Sequence, residues 1–234
     1  MSELVVEALR IDYGGVRALD NVSLRVPGGS VVGLIGPNGA GKTSLINAVT
    51  GIVRPSAGSI SLDGARLDRL PAHRIARAGV ARTYQNVRLF GALSVADNVR
   101  AGAFRLAGKP DARSLDALLR RAALHDVGLD RRAATLPYGE QRRLEIARAL
   151  AGEPALLLLD EPAAGLNPRE TIELREVIRG AACDGAGVLL VEHDMTLVAA
   201  VCDRVVVLNF GERIAEGTPA QIARDPAVVE AYLG

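Results

Sequence analysis

The sequence predicts an α/β fold: a mostly parallel sheet with helices on its faces, joined to an N-terminal antiparallel β subdomain and interrupted by an inserted helical lobe. Three observations predict it. Residues 36–43 read GPNGAGKT and stand between the apolar run VVGLI and the helix-like run SLINAVTG, the pattern of a buried parallel strand turning through glycines into a helix. After Pro154, apolar runs of strand length alternate with helical stretches, and such alternation implies parallel strands linked by crossover helices. Between about Ser94 and Ala151 the period changes. Leu115, Leu118, Leu119 and Ala122 recur at helical spacing while β-branched residues thin out.

In chain order, the runs Leu4–Leu9, Asn21–Val26, Ser30–Ile35 and Ser59–Leu62 predict short strands. Turn signals at Tyr13-Gly14-Gly15 and Pro27-Gly28-Gly29 separate them. The helical lobe follows. Beyond it the pattern predicts a strand over Ala155–Leu159, a helix over Pro168–Ala181, a strand over Val188–Val191, a helix from Met195 and a strand over Arg204–Leu208. Thr218 then stands as an N-cap with Pro219 at the first helical position. We expect one domain, 1–234, in which 1–85 and 153–234 form the core with its β subdomain and 86–152 form the lobe.

A net charge of +1 over 234 residues gives no electrostatic pull toward nucleic acid or anionic lipid. No basic run or interleaved aromatics offers a surface for stacking bases, so no nucleic-acid partner is expected. Cys183 and Cys202 are too few for a disulfide framework and read as reduced, buried or half-buried thiols. The opening MSELVVEALRID is acidic and alternating, unlike a signal peptide. No apolar run reaches the length of a membrane span. A soluble chain is expected, and any membrane process it serves needs other chains to cross the bilayer.

Lys42 is one of two lysines in a chain whose positive charge is otherwise arginine; the other is Lys109. A slim ammonium at that place can reach the β- and γ-phosphates of a nucleotide. Gly36, Gly39 and Gly41 let successive N–H groups curl toward phosphate oxygens, and Thr43 offers a hydroxyl to Mg2+. The phosphates would lie on a helix N-terminus, where the dipole favours anions. The same residues could form a glycine-rich turn with no ligand, but the complete GxxxxGKT between strand and helix favours a P-loop NTPase core. Residues 156–161, LLLLDE, describe a buried strand whose C-terminal end opens at the ligand crevice. Asp160 there is placed to hold Mg2+ and Glu161 to polarise the attacking water.

Residues 136–150, LPYGEQRRLEIARAL, resemble the signature motif and following helix of the ATP-binding-cassette ATPases, and the rest of the chain agrees. Tyr13 stands where that family sets an aromatic against adenine. Gln85 in RTYQNVRLF resembles the Q-loop glutamine, Asn167 in AAGLNP falls in the D-loop, and His193 in VEHDM matches the switch histidine. The order and spacing cover essentially the whole chain. The blocks RTYQNVRLF, YGEQRRLEIARAL, DEPAAGLNPRET and EHDM, with GTPAQI and AYLG near the end, are most similar to the ATPases of branched-chain (hydrophobic) amino acid uptake.

The resemblance implies ATP and Mg2+ as cofactors. It implies nucleotide binding by Tyr13 and by Gly36, Pro37, Asn38, Gly39, Ala40, Gly41, Lys42, Thr43 and Ser44. It implies metal binding at Thr43, Gln85 and Asp160, and catalysis by Glu161, His193 and Gln85. Tyr138, Gly139 and Glu140 would face the nucleotide of a second ATPase subunit, a copy or a paralogue, packed head to tail. Two membrane permease subunits, a periplasmic or extracellular solute-binding protein and a place on the cytoplasmic face of the inner membrane complete the implied assembly.

The chemistry suits these roles. Tyr13 offers a π-face, and aromatic stacking contributes about 1–3 kcal/mol per base; as an edge-strand tyrosine it could instead cover core. Gln85 can bring an amide oxygen toward the metal or the water. His193 could donate to a γ-phosphate oxygen, a reading that rests on its place in the motif, since a lone histidine is more often structural. His73 and His125 lack such context. Gly139 would let the backbone approach a phosphate at a helix N-terminus. Two positions depart from the family. The common signature is LSGGQ, whereas Pro137 here has neither a serine hydroxyl nor a backbone N–H, which puts in doubt the composite site that it lines. The D-loop has Asn167 where aspartate is common.

Val87, Leu89, Phe90, Leu93 and Phe104 lie in the stretch from Asn86 to Phe104. They read as a permease-docking surface or, equally, as core of the lobe. Two other functions compete with import: lipopolysaccharide or lipid export, whose ATPases share much of the pattern, and a soluble cassette protein acting without a membrane partner.

Overall fold

The computed structural model describes residues 2–106 and 111–233; Lys109 lies outside them. The elements are β1 (Glu3–Tyr13), β2 (Val16–Pro27), β3 (Val31–Ile35), α1 (Lys42–Val49), β4 (Ala57–Leu62), β5 (Ala65–Arg66), α2 (Ala72–Arg77) and β6 (Val80–Arg82). Then come α3 (Val95–Gly102), α4 (Ala112–Arg121), a 3-10 turn (Ala133–Thr135), α5 (Tyr138–Leu150) and β7 (Leu156–Asp160). The chain closes with α6 (Pro168–Cys183), β8 (Gly187–Val191), α7 (Met195–Val201), β9 (Arg204–Asn209), β10 (Glu212–Gly217), α8 (Pro219–Ile222) and α9 (Pro226–Leu233).

Six strands form the main sheet in the order β10-β9-β3-β8-β7-β6. All neighbours from β9 to β6 are parallel, and β10 adds antiparallel at the edge. A four-stranded antiparallel sheet, β2-β1-β4-β5, packs beside it. The period-2 rule for strand side chains places alternate residues on opposite faces. Leu156 and Leu158 join one core with the antiparallel sheet, α1 and α2; Leu157 and Leu159 join a second core under α6 and α7. Burial on both faces explains why β3, β7 and β8 are uninterrupted apolar runs. A third core, built on Val95, Val99, Leu115, Leu119 and Leu144, lies among α3, α4 and α5.

The structure extends several expectations. β1 and β2 run several residues beyond Leu9 and before Asn21, because register shifts with Ala8 (φ 47°) and Asn21 (φ 53°) in left-handed conformations let the pair bend and continue. Gly14 and Gly15, both with positive φ, close the hairpin. Five elements carry no sequence pattern long enough to predict them: β5, α2, β6, β10 and α9. β6 is only Val80-Ala81-Arg82, and β10 has two apolar residues in six. Thr218 does cap a helix, in a reciprocal capping box with Gln221, with Pro219 at its start.

Candidate active site

The predicted motifs end four adjacent parallel strands. From β3 across the sheet, the C-terminal ends carry the GPNGAGKT loop, then His193 after β8, then Asp160 and Glu161 at β7, then Tyr84 and Gln85 after β6. Open parallel sheets gather ligand-binding loops at this edge.

The phosphate loop has a shape that requires glycine. At Gly36 (φ 148°) a Cβ would sit 2.1 Å from the Leu208 carbonyl, and at Gly41 (φ 102°) 2.5 Å from Leu19 Cδ2. The loop is therefore pressed onto β9 and β2 as well as curled. Lys42 Nζ donates to the carbonyls of Gly36 (2.6 Å) and Pro37 (2.9 Å), closing the loop on itself. Burial lowers the Lys42 pKa, against the opposing pull of Glu161 and Asp160. A cleft of about 320 Å3 is lined by Ala18, Asn38, Gly39, Ala40, Gly41, Lys42, Thr43, Ser44, Gln85 and Glu161.

Glu161 has φ 46°, uncommon for a residue with a side chain. Its N–H donates to Val191 O at 2.9 Å, which holds the end of β7 to β8 as the chain turns. Gln85 Nε2 donates to Glu161 Oε2 at 2.8 Å, which leaves the Gln85 side-chain oxygen Oε1 for a cation. Asp160 is buried and gives one carboxylate oxygen to Arg82 at 2.9 Å, while Arg82 also donates to Asn47 on α1 at 2.8 Å. Arg82 was invisible as a site residue in the sequence, because its three-residue strand has no pattern of its own. The oxygens at hand, a hydroxyl (Thr43), a carboxylate (Asp160) and an amide (Gln85), are the hard donors that Mg2+ selects.

The other predicted residues are placed apart from this cleft. Tyr13 ends β1 and is about two-fifths exposed; Ala18, on the next strand, lines the cleft instead. His193 is exposed, and its imidazole lies 3.9 Å from Glu192. Glu192, which sequence reading passed over, is buried; it accepts N–H bonds from Ala163 (2.9 Å) and His193 (3.1 Å) and so ties the turn at His193 to the segment after β7. Burial raises its pKa, partly offset by those N–H groups. Tyr138, Gly139 and Glu140 open α5 outside the lining of the cleft. Gly139 is buried under Glu170, whose carboxylate oxygen would lie 2.1 Å from an added Cβ. An added Cβ here would displace the Glu170 carboxylate, a packing reason for a small residue that is independent of any phosphate.

Comparison with known proteins agrees with this geometry. Residues 19–164 match the model of the family described as "ABC transporter", and residues 212–234 match "Branched-chain amino acid ATP-binding cassette transporter". The chain is 46% identical to the high-affinity branched-chain amino acid transport ATP-binding protein BraF of Pseudomonas aeruginosa, over 99% of this chain and 97% of that one. It is 38% identical to the lipopolysaccharide export system ATP-binding protein LptB of Escherichia coli K12, over 100% and 98%. Among solved structures, the ADP conformation of the ATP-binding cassette MJ1267 superposes with a TM-score of 0.88 at 28% identity, covering 100% of this chain and 99% of that one.

Proposed function

The chain belongs to the ABC transporter family of ATP-binding cassettes, and on that premise we propose that it is the ATP-hydrolysing subunit of a branched-chain amino acid importer. Two findings favour import over lipid export: the higher identity to the uptake protein and the separate match of residues 212–234 to the branched-chain amino acid cassettes. The observation that carries hydrolysis is the convergence of Lys42, Thr43, Gln85 and Glu161 on one cleft at the strand ends.

In this reading the backbone N–H groups of residues 38–44 and the Lys42 ammonium receive the nucleotide phosphates. Tyr13 stacks on adenine. Thr43, Asp160 and Gln85 would hold Mg2+, which would supply charge neutralisation to the phosphoryl group. Glu161 accepts a proton from the attacking water, and Gln85, already bonded to that carboxylate, orients both. His193 contributes a donor to the γ-phosphate. Bond cleavage gives ADP and phosphate. Tyr138, Gly139 and Glu140 face the nucleotide of a second ATPase subunit, so ATP closes the pair and hydrolysis releases it. Pro137 takes no part through hydroxyl or N–H, which leaves α5 and its neighbours to hold that phosphate.

The membrane-facing surface is the groove of about 690 Å3 lined by Tyr84, Leu89, Phe90, Phe104, Arg105 and neighbouring residues, between β6 and the 86–152 lobe. Phe90 and Phe104 are exposed there. No helix among the described residues is long and apolar enough to cross a membrane, so transport requires separate permeases and the chain sits peripherally on their cytoplasmic side. Uptake of labelled leucine, isoleucine and valine by cells lacking this chain tests the proposal. Loss of uptake restored by the gene, and not by a Glu161→Gln version, is expected; undiminished uptake would refute it.

A further inference from the structure

Arg142 is completely buried on α5, and its side chain reaches out of the helix into the active-site loops. Nη1 donates to the Tyr84 carbonyl (2.6 Å) and to Glu145 Oε2 (3.2 Å). Nη2 donates to the Gln85 carbonyl (2.5 Å), and the Tyr138 hydroxyl (3.4 Å) and Glu161 carbonyl (3.5 Å) lie within its reach. Glu145, also buried, completes the arrangement: its other carboxylate oxygen accepts the Arg88 N–H at 3.0 Å. The loop from 84 to 88 is therefore gripped at both ends by side chains one helical turn apart on α5. Burial raises the Glu145 pKa, offset in part by the Arg88 N–H and by Arg142.

We propose that Arg142 is a positioning residue for hydrolysis, fixing Gln85 and Glu161 relative to the helix that begins at Tyr138. This rests on the reading of the cleft as an ATPase site. Three points support it. A buried ion pair is weak as a source of stability, because apolar side chains of the same volume serve a core as well or better. Beside Glu145 and the Tyr138 hydroxyl, the partners of Arg142 are main-chain oxygens of Tyr84, Gln85 and Glu161, residues that line or adjoin the cleft. A planar guanidinium can hold two successive carbonyls at once, which a lysine ammonium on a flexible stem cannot reproduce. The arrangement makes the helix facing the second subunit and the hydrolytic pair Gln85–Glu161 move as one body. Displacement of Gln85 and Glu161 by about 1 Å is enough to cost roughly 10²-fold in rate.

Two variants of the full-length chain test it. Arg142→Lys keeps a charge beside Glu145 but loses the double carbonyl grip. Arg142→Met/Glu145→Met removes the fully buried pair together, so neither is left unpaired; Arg148, whose side chain lies 3.8 Å from Glu145, keeps partial contact with solvent. Steady-state ATP hydrolysis, KM for ATP and thermal unfolding are measured beside the parent. The expected result is a kcat lower by about 10²-fold in both variants, with KM for ATP within about twofold of the parent and melting largely preserved in the double variant. Parental kcat in either variant would overturn the inference. So would a loss of activity that tracks loss of ATP affinity and of melting temperature in both, the mark of a purely structural role. A parent with no ATP turnover would remove the ATPase reading, and this inference with it; a hydrolysing parent with unaltered variants would remove only this inference.

Discussion

At the scale of single residues, the site depends on a few side chains whose surroundings separate their tasks. Glu161 sits in a left-handed backbone conformation at the end of a buried strand, with Gln85 bonded to its carboxylate. Its neighbour Asp160 points to Arg82. Two adjacent carboxylates thus face different partners, one suited to a base and one to a cation. Glu161→Gln should preserve ATP affinity and lower turnover by about 10²–10⁴-fold, the usual cost of a lost general base. The stalled, ATP-loaded form should elute as a dimer in size-exclusion chromatography; wild-type turnover would remove Glu161 from its role. Lys42 is the loop's own counter-charge, bonded to two of its carbonyls. Lys42→Ala should abolish binding of a fluorescent ATP analogue, while Lys109→Ala should leave it intact.

At the scale of elements, the helices are fixed by ends that sequence reading could name and by packing that it could not. α6 begins in a reciprocal box: the Asn167 side chain accepts the Glu170 N–H (3.0 Å), and Glu170 accepts the Asn167 N–H (2.9 Å). Asn167 therefore keeps the acceptor that aspartate would supply, which accounts for its substitution in the D-loop without loss of the cap. Asn167→Ala should cost about 0.5–2 kcal/mol, read as a fall in melting temperature of about 2–4 °C per kcal/mol for a chain of this size. The two cysteines mark the other ends. Cys183 closes α6 in the open, whereas Cys202, after α7, packs against Gly33 and its pKa is pushed up to about 12 by burial. Titration with a thiol reagent near pH 8 should therefore find one fast thiol per native chain and two after denaturation. Two fast thiols in the native protein would contradict the packing of α7.

At the scale of the whole molecule, the groove beside β6 is lined by Tyr84, the chain neighbour of Gln85 in the candidate cleft. The loop that presents Phe90 is held by the buried Asn98 side chain, which bonds the Phe90 N–H (2.9 Å), the Phe90 carbonyl (3.1 Å) and the Ser94 carbonyl (3.0 Å). Phe90 is thereby held outward, with Arg148 5.5 Å from its ring centre. Leu89 is half-buried against the lobe's core. The apolar residues of this stretch accordingly divide. Phe90→Asp and Phe104→Asp should spare thermal stability and basal ATP hydrolysis yet prevent co-purification with permeases, because a charge would be buried unpaired in the interface. Leu89→Asp should lower the melting temperature as well. Intact co-purification of the Phe90 and Phe104 variants would move the docking surface elsewhere.

The P-loop, the buried strand before it, the buried strand of LLLLDE and the family are all legible in the sequence alone. Each of these is written in local order: GPNGAGKT between strand and helix, LLLLDE, and a signature helix at fixed spacing. The sequence also located Gln85, Glu161 and Lys42, which the fold brings to one cleft. What those residues touch is set by long-range packing. Arg82 and Asp160 are far apart in sequence, and Arg142 grips carbonyls 57 and 58 positions away. Such pairings cross between strand ends and lobe, where no periodicity records them. In the sequence, Arg142 and Glu145 look like ordinary charges of a solvent-facing helix. Their burial follows from the packing of α5 against the Q-loop, and a local pattern carries no information about which distant segment will cover it. The short strand β6 shows the same limit: three residues are too few to display a period, yet their place at the sheet edge delivers Gln85 to Glu161.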